Sequence, residues 1–184
     1  MTTPAPGILL IAEPFLKDPN FSRTVVFICD HHEQGTLGFV LNREYGHTLD
    51  ELMNNIDEDL KIPVFYGGPV QMDTIHFIHL YPDKISGSYE IRNGIYWGGD
   101  FEAAIELLKN GEISLSGIRF FIGYSGWSEG QLTDELTQKT WLCGDATRKL
   151  VFHKRIAELW KDAVMSLGGD YSMMINFPTD PQLN

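Results

Sequence analysis

The stretch TVVFICDHHEQGTLGFVL, residues 24–41, decides the fold of this chain. Its two ends, residues 24–29 and 36–41, are rich in β-branched and aromatic residues, which favour strands. The polar segment 31–35 lies between them and ends in glycine, which is typical of a hairpin connection. The sequence therefore predicts two neighbouring antiparallel strands joined by this loop.

Apolar runs on both sides of the hairpin predict further strands. They cover residues 7–12, 64–66, 74–81, 95–97 and 118–124. The last run leads into the glycine-rich segment 123–126, which predicts a turn. Several strands follow one another without a helix between each pair, so we predict a mostly antiparallel sheet.

Four segments carry helix signals. They are the capping box of Thr48 and Glu51, the cap at Asp100, the capping box of Ser128 and Gln131, and the apolar stripe from Ile156 to Leu167. The tail, residues 176–184, contains two prolines and is predicted to be extended. Strands and helices that do not alternate regularly predict the α+β class.

Length and composition predict one domain over residues 1–184, with 43% hydrophobic residues to fill its core. No apolar run approaches the length that spans a bilayer, and the start MTTPAPG lacks the features of a signal peptide. We therefore expect a cytoplasmic protein with no membrane partner. Cys29 and Cys143 lack the spacing of a metal or redox pair, and both are predicted to be reduced, buried thiols.

The charge balance disfavours direct binding to nucleic acid. The chain has 14 basic and 25 acidic side chains and a net charge of -11, whereas affinity for a phosphate backbone comes largely from Lys and Arg. One basic cluster stands out, which is more typical of a solvated face than of a DNA-binding surface. It consists of Arg148, Lys149, His153, Lys154 and Arg155.

These segments, taken in order, resemble the YqgE/AlgH family of bacterial proteins. The matching pieces are GILLIA (7–12), DPNF (18–21), RTVVFI (23–28), GFVLNR (38–43), FYGGPV (65–70), FFIGYSGWSEGQL (120–132), Trp141 and NFP (176–178). They span nearly the whole chain. With the four helix signals, the resemblance implies an α+β fold whose mostly antiparallel sheet bends into a partial barrel, flanked by three to four helices.

The resemblance implies much less about function. Members of the family are uncharacterised, and the name AlgH comes from a proposed transcriptional regulator of alginate production. The family offers no established catalytic residues to carry over. Two positions of this chain depart from its pattern: Ser125 stands where alanine is common, and Glu44 stands where proline is common. The first departure weakens any idea that the Ser125 hydroxyl is required.

Three patterns suggest chemistry, and each has a simpler interpretation. The segment 123–126 resembles the elbow of α/β-hydrolases, but Trp127 occupies the position of the required second glycine. Residues 30–33 combine two histidines with two carboxylates, as a metal site does, but adjacent loop residues do not converge by themselves. His76 and His79 lie on opposite faces of one strand, so they cannot form a zinc pair, and at least one is predicted to be hydrogen-bonded and structural.

The leading interpretation is a non-catalytic regulatory or adaptor protein that binds another protein or a small molecule, with no cofactor and no metal. Two alternatives stay open. The first is a metal-dependent or other hydrolase that uses the loop from Asp30 to Glu33. The second is a DNA-binding transcriptional regulator, which the acidic charge and the lack of a recognition-helix motif disfavour.

Polar and aromatic residues beside the predicted turns are the candidate binding residues. They are Asp30, His31, Arg43, Tyr124 and Trp127. We expect them to gather at one rim of the sheet, where Arg43 offers a planar donor fork to a carboxylate and an aromatic ring stacks beside it. The competing interpretation is that Arg43 pairs with Asp18 or Asp30 to hold the loops.

Overall fold

Ten strands form one sheet in the computed structural model, which describes residues 3–178. They are β1 (Ile8–Ala12), β2 (Val25–His32), β3 (Gly35–Val40), β4 (Glu44–Thr48), β5 (Pro63–Tyr66), β6 (Val70–His79), β7 (Tyr89–Arg92), β8 (Ile95–Trp97), β9 (Ile118–Ser128) and β10 (Trp141–Asp145). Their order is β10-β1-β2-β3-β9-β6-β8-β7, with β4 and β5 as a branch. Only the pair of β5 and β9 is parallel, and the sheet curves into a half-barrel. The predicted α+β fold is confirmed.

Five α-helices flank the sheet in the described residues. They are α1 (Leu49–Leu52), α2 (Phe101–Lys109), α3 (Gln131–Thr137), α4 (Arg148–Val151) and α5 (Ile156–Ser166). The Asp100 carboxylate accepts a hydrogen bond from the Ala103 N–H at 3.0 Å, which confirms the predicted cap of α2. The helix that the sequence did not predict, α4, is a single turn capped by Thr147. Two 3-10 helices cover Leu115–Gly117 and Gly169–Asn176.

None of the helices within residues 3–178 has the length and hydrophobicity needed to cross a membrane.

The sheet is packed on both faces because its central strands alternate in two apolar sets. Leu9, Phe27 and Phe39 face α5, whereas Val26 and Ile28 face α3. A third cluster joins α1 and α2 to β5, β6 and β9. Each fully buried Leu, Ile or Phe contributes roughly 1.5 to 3 kcal/mol of transfer free energy, so these sets fix which face each strand presents.

Several local predictions are wrong. No turn follows Tyr124, because β9 continues to Ser128. Gly123 lies within the strand at a φ of +65°, and the extra residues of the irregular register beside it belong to β6, between Val70 and Ile75. Glycine is required there, since a Cβ at position 123 would collide with the Gly68 carbonyl oxygen. The predicted extended tail begins only at Phe177, and residues 179–184 lie outside the described residues.

Candidate functional site

The five predicted binding residues do not meet at one rim. Thr36 of β3 pairs with His31 of β2 on one side and with Trp127 of β9 on the other. Arg43, in contrast, follows the opposite end of β3. The whole length of this strand, at roughly 3.3 Å per residue, therefore separates Arg43 from His31.

Trp127 belongs to a buried group that we call the tryptophan–glutamate cluster, formed by Trp127, Glu135 and Trp141. The indole N–H groups of Trp127 and Trp141 both donate to Glu135 Oε2, at 2.8 Å and 2.7 Å. Gln131 Nε2 donates to the other carboxylate oxygen at 3.0 Å. Both tryptophans are 4% exposed, so their polar atoms are already used inside the protein.

Tyr124 lies on the other face of the sheet, in an aromatic–histidine cluster that it forms with His76, Tyr89 and Trp97. Asp30 lies beside this cluster, near Tyr89. The ring centroid of His76 lies 6.0 Å from that of Trp97 and 6.0 Å from that of Tyr124, and the ring centroids of Tyr89 and Trp97 lie 5.4 Å apart. Burial, with the nearby Asp30 carboxylate and Cys29 thiol, raises the pKa of Tyr89 to about 12. Burial also lowers the pKa of His76. The cluster is half-exposed and already packed ring against ring.

The polar loop of the β2–β3 hairpin uses its groups on the hairpin itself. His31 Nδ1 lies 2.7 Å from Thr36 Oγ1, and His32 Nε2 lies 3.2 Å from Asp30 Oδ2. Within residues 3–178, no three side chains of His, Cys, Asp or Glu converge as a metal site. The two histidines of the loop are thus each bonded to a group of the same hairpin.

Arg43 holds the loop 18–23 through backbone carbonyls. Its Nη1 and Nη2 donate to the carbonyl oxygens of Pro19 and Ser22, both at 2.9 Å. Neither Asp18 nor Asp30 forms a salt bridge with it among the described residues. The Arg43 guanidinium, which the sequence predicted to bind a ligand carboxylate, thus donates to backbone carbonyls of the protein instead.

Two buried polar groups, Arg119 and His79, are structural, and only His79 was singled out from the sequence. Arg119 donates to the carbonyl oxygens of Leu41, Val151 and His153, at 3.2, 3.1 and 2.9 Å, and burial lowers its pKa to about 10. It therefore ties the end of α4 to β3. His79 is fully buried, with Nε2 bonded to the Gly98 carbonyl at 3.0 Å, so the predicted structural histidine is confirmed.

Four residues of the basic cluster at 148–155 are exposed, as the predicted solvated face requires, and His153 is the buried exception. His153 is 8% exposed, and its Nε2 lies 2.8 Å from Asp162 Oδ2. Arg148 Nε donates to the Asn93 carbonyl at 3.0 Å. Both groups serve the fold, because they join α4 to α5 and to the β7–β8 turn.

A groove of about 1220 Å³ runs beside β10, and we call it the β10 groove. Leu136 of α3 lines one side, and Leu167 and Met174 line another. Cys143, predicted to be buried, is only half-buried there, and its partial burial raises its thiol pKa. The groove is thus lined by a mixture of apolar, hydroxyl-bearing and charged side chains.

The edge of β10 in this groove has no strand partner within the described residues. The Glu13 N–H donates to the Thr140 carbonyl, and the Ala146 N–H donates to the Gly7 carbonyl, at 3.1 and 3.3 Å. Antiparallel ladders alternate, so Leu142 and Gly144 bond to β1 in the same way. The N–H and C=O groups of the intervening residues point outward, away from the sheet. These residues are Trp141, Cys143 and Asp145.

The other two sheet edges are protected by charge and irregularity. β7 carries the exposed residues Glu90 and Arg92, and its register shifts between them. β4 begins with the exposed residue Glu44, and its register with β5 also shifts. Charges and bulges are the usual means by which edge strands avoid pairing. β10 has an unbroken register and no charged residue before Asp145.

Fold and site together define an α+β half-barrel protein with one regular, uncharged strand edge open in a groove. The chain belongs to the AlgH-like family, DUF179, which matches residues 9–172. The resemblance to the YqgE/AlgH family is therefore confirmed.

Relatives and solved structures agree with this assignment. A UPF0301 protein of Chlorobium limicola is 44% identical over 179 residues, which cover 97% of this chain and 95% of the relative. One from Cytophaga hutchinsonii is 39% identical, with 97% and 98% covered. The solution structure of the AlgH protein from Pseudomonas aeruginosa is 28% identical with a TM-score of 0.72, covering 97% and 98%. A Corynebacterium diphtheriae crystal structure, 22% identical with a TM-score of 0.77, covers 96% and 94% and shares the fold.

Proposed function

We propose that this protein is a non-catalytic cytoplasmic adaptor or regulatory protein that binds an extended segment of another protein along β10. The observation that carries the proposal is the outward-facing backbone of Trp141, Cys143 and Asp145, of which Trp141 and Cys143 line the β10 groove. An added strand would pair with these groups, and the groove would accept its alternate side chains. Backbone pairing would supply affinity, and the side chains would supply specificity.

The charges of the groove indicate the kind of segment. Lys17 and Lys139 line it with one acid, Glu13, although the chain as a whole carries a net charge of -11. Neither lysine forms a salt bridge with a carboxylate in residues 3–178. A segment with apolar residues at alternate positions and acidic residues beside them would complement this surface.

The remaining groups favour binding over catalysis. Ser125 is fully buried, and its hydroxyl donates to the Gly67 carbonyl at 3.0 Å, so it is not poised as a nucleophile. Burial raises the pKa of Cys29 well above its usual value, which disfavours the reactive thiolate. The net negative charge supports a protein partner over a nucleic acid.

Selection from a library of random linear peptides tests the proposal. We expect the enriched peptides to alternate apolar residues with polar or acidic ones. In spectra of the ¹⁵N-labelled protein, they should perturb the amides of β10, α3 and residues 167–174. Peptides that bind elsewhere, or a library that yields no saturable binder, would count against an adaptor that uses β10.

A further inference from the structure

A second cleft, of about 400 Å³, lies between the loop at Arg23, the end of β3 and the first turn of α5. We call it the arginine cleft. It shares no lining residue with the β10 groove, so it is a separate site. The polar and aromatic residues that line it are Arg23, Asn42, Arg43, Glu158, Trp160 and Lys161.

The arginine cleft is positively charged in an acidic protein. Three cationic side chains, Arg23, Arg43 and Lys161, face one acid, Glu158. Within residues 3–178, none of the three forms a salt bridge. Positive charge that is not neutralised by the protein attracts anions into a concave site.

The chain fixes these cations before any ligand arrives. Asn42 Nδ2 donates to the Arg23 carbonyl, and Asn42 Oδ1 accepts from the Val25 N–H, both at 2.9 Å. These bonds hold Arg23 at a φ of +50°, which is uncommon for a residue with a side chain. The Arg23 guanidinium stacks on the Trp160 ring at 4.6 Å, and Arg43 is fixed by its two carbonyl partners.

One donor in this cleft has no acceptor. Arg23 Nε is buried and makes no hydrogen bond to any described residue, whereas Arg23 Nη2 donates to the Phe177 carbonyl. Buried polar groups are normally paired, so an unpaired N–H on a cation indicates a missing acceptor.

The first turn of α5, residues 156–158, also lines the cleft, and the Arg155 side chain does not cap it. The Glu158 N–H already donates to the Arg155 carbonyl at 3.0 Å, so the N–H groups of Ile156 and Ala157 are the ones at this helix start that add to the attraction for an anion.

From this combination we propose that the arginine cleft binds a phosphate-type oxyanion, either inorganic phosphate or a small phosphate monoester. The three cations supply the charge, and Arg23, whose buried Nε has no acceptor among the described residues, supplies an unpaired donor. Arg43 acts as a positioning residue, because its donors already hold the loop. This site is independent of the strand-binding function proposed for β10.

Titration of the ¹⁵N-labelled protein with inorganic phosphate, at constant ionic strength with sodium chloride as the reference, tests the proposal. We expect saturable shifts at the amides of residues 156–158 and at the Trp160 indole. Phenyl phosphate is the second probe: tighter binding than phosphate assigns the site to a monoester, and equal binding assigns it to the free ion. Shifts that match those of the chloride reference, without saturation, would overturn the proposal.

Matched variants locate the site. Lys161→Gln, on the exposed side of α5, should weaken phosphate binding about three- to fivefold, as expected for one partly solvated charge. Arg23→Gln should weaken it at least about tenfold, because a charged donor is lost. Lys149→Gln, outside the cleft, should bind as the unmodified protein does. Unchanged binding in Lys161→Gln and in folded Arg23→Gln would contradict this location.

Discussion

The edge strands at the two ends of the sheet, β7 and β10, differ in how they are protected against pairing with another strand. β7 exposes Glu90 and Arg92, breaks its register between them, and binds the Gly94 N–H with the Glu90 carboxylate at 2.7 Å. β10 keeps five regular pairs with β1 and carries one charge, at its last residue, Asp145. An unprotected edge invites another strand. β7 is therefore protected against pairing by charge and irregularity, whereas β10 carries neither protection before Asp145.

The two faces of β10 are nevertheless fixed. On one face, Trp141 is tied to Glu135 of α3 through its indole N–H. On the other face, Leu167 packs close to Gly144, since a Cβ atom at position 144 would lie 3.2 Å from the Leu167 side chain. The strand is therefore rigid while its edge is open, which lowers the conformational cost of adding a partner strand. The predictions below test this contrast.

Truncation of a buried side chain of α5, which packs on β1 and β2, should have the largest effect on the free energy of unfolding. Leu159 of α5 is fully buried in the cluster that contains Leu9 and Phe27, so Leu159→Ala should lower the free energy of unfolding by about 2 to 5 kcal/mol. Ser125→Ala is the comparison. It removes one hydrogen bond to the Gly67 carbonyl, which still accepts from the Val40 N–H, and should cost about 0.5 to 1.5 kcal/mol. Urea denaturation measures both, and equal losses would show that the packing of α5 is misjudged.

The tryptophan–glutamate cluster should come next. Glu135→Ala leaves two buried indole donors without their charged acceptor, and we expect a loss of about 2 to 4 kcal/mol. Glu135→Gln keeps an acceptor oxygen and should lose less. Glu129→Ala, at an exposed site on the same side of the molecule, is the control for removing a carboxylate. If Glu129→Ala costs as much as Glu135→Ala, the cluster does not stabilise the α3 face of β10.

A change at the edge itself should affect binding more than stability. Asp145→Pro removes an outward N–H without touching the ladder to β1, since proline is tolerated where the N–H faces away from the sheet. Asp145→Ala keeps the N–H and removes only the carboxylate. We expect Asp145→Pro to bind a selected peptide about tenfold more weakly than Asp145→Ala, in fluorescence anisotropy, for one lost hydrogen bond. Equal affinities would mean that the peptide does not pair with this edge.

Acidification should loosen the β7 side before the β10 side, as the smallest of these effects. Burial lowers the pKa of His79, against a weaker opposing effect of the Gly98 carbonyl, so the folded state favours the neutral ring. The unfolded chain then binds the proton more readily, and stability is full above about pH 6.5 and falls as the pH drops below it. Amides of β8 should lose protection first. Because burial also lowers the pKa of His76, His79→Gln should reduce this slope without removing it, and the exposed-site variant His32→Gln should retain it in full; the reverse pattern would contradict the assignment.

The long, strongly patterned elements could be predicted from the sequence. The apolar stripe of α5 and the cap at Asp100 are local signals, and they act as expected. β4, β7 and β10 were missed because each has five residues or fewer and is partly exposed, so burial leaves no long apolar run. β10, with the sequence WLCGD, also contains a glycine at a position where a Cβ would lie 3.2 Å from Leu167.

The candidate site was harder to predict because it depends on strand direction and pairing. Arg43 and His31 are close in sequence, but the hairpin sends them to opposite ends of β3. Trp127 was placed beside a turn, whereas β9 continues through Gly123 to Ser128 and the Trp127 ring is buried. The open edge of β10 consists of backbone N–H and C=O groups, so no side-chain motif in the sequence predicts it.

Hydrogen exchange at the amides of β10 tests the central claim most directly. In the free protein, the N–H groups of Trp141, Cys143 and Asp145 should exchange faster than those of Leu142 and Gly144, which bond to β1. With a selected peptide bound, the three outward amides should become protected while β7 stays unchanged. Uniform protection along β10 in the free protein, or a peptide that protects β7 and leaves β10 unaltered, would contradict the account.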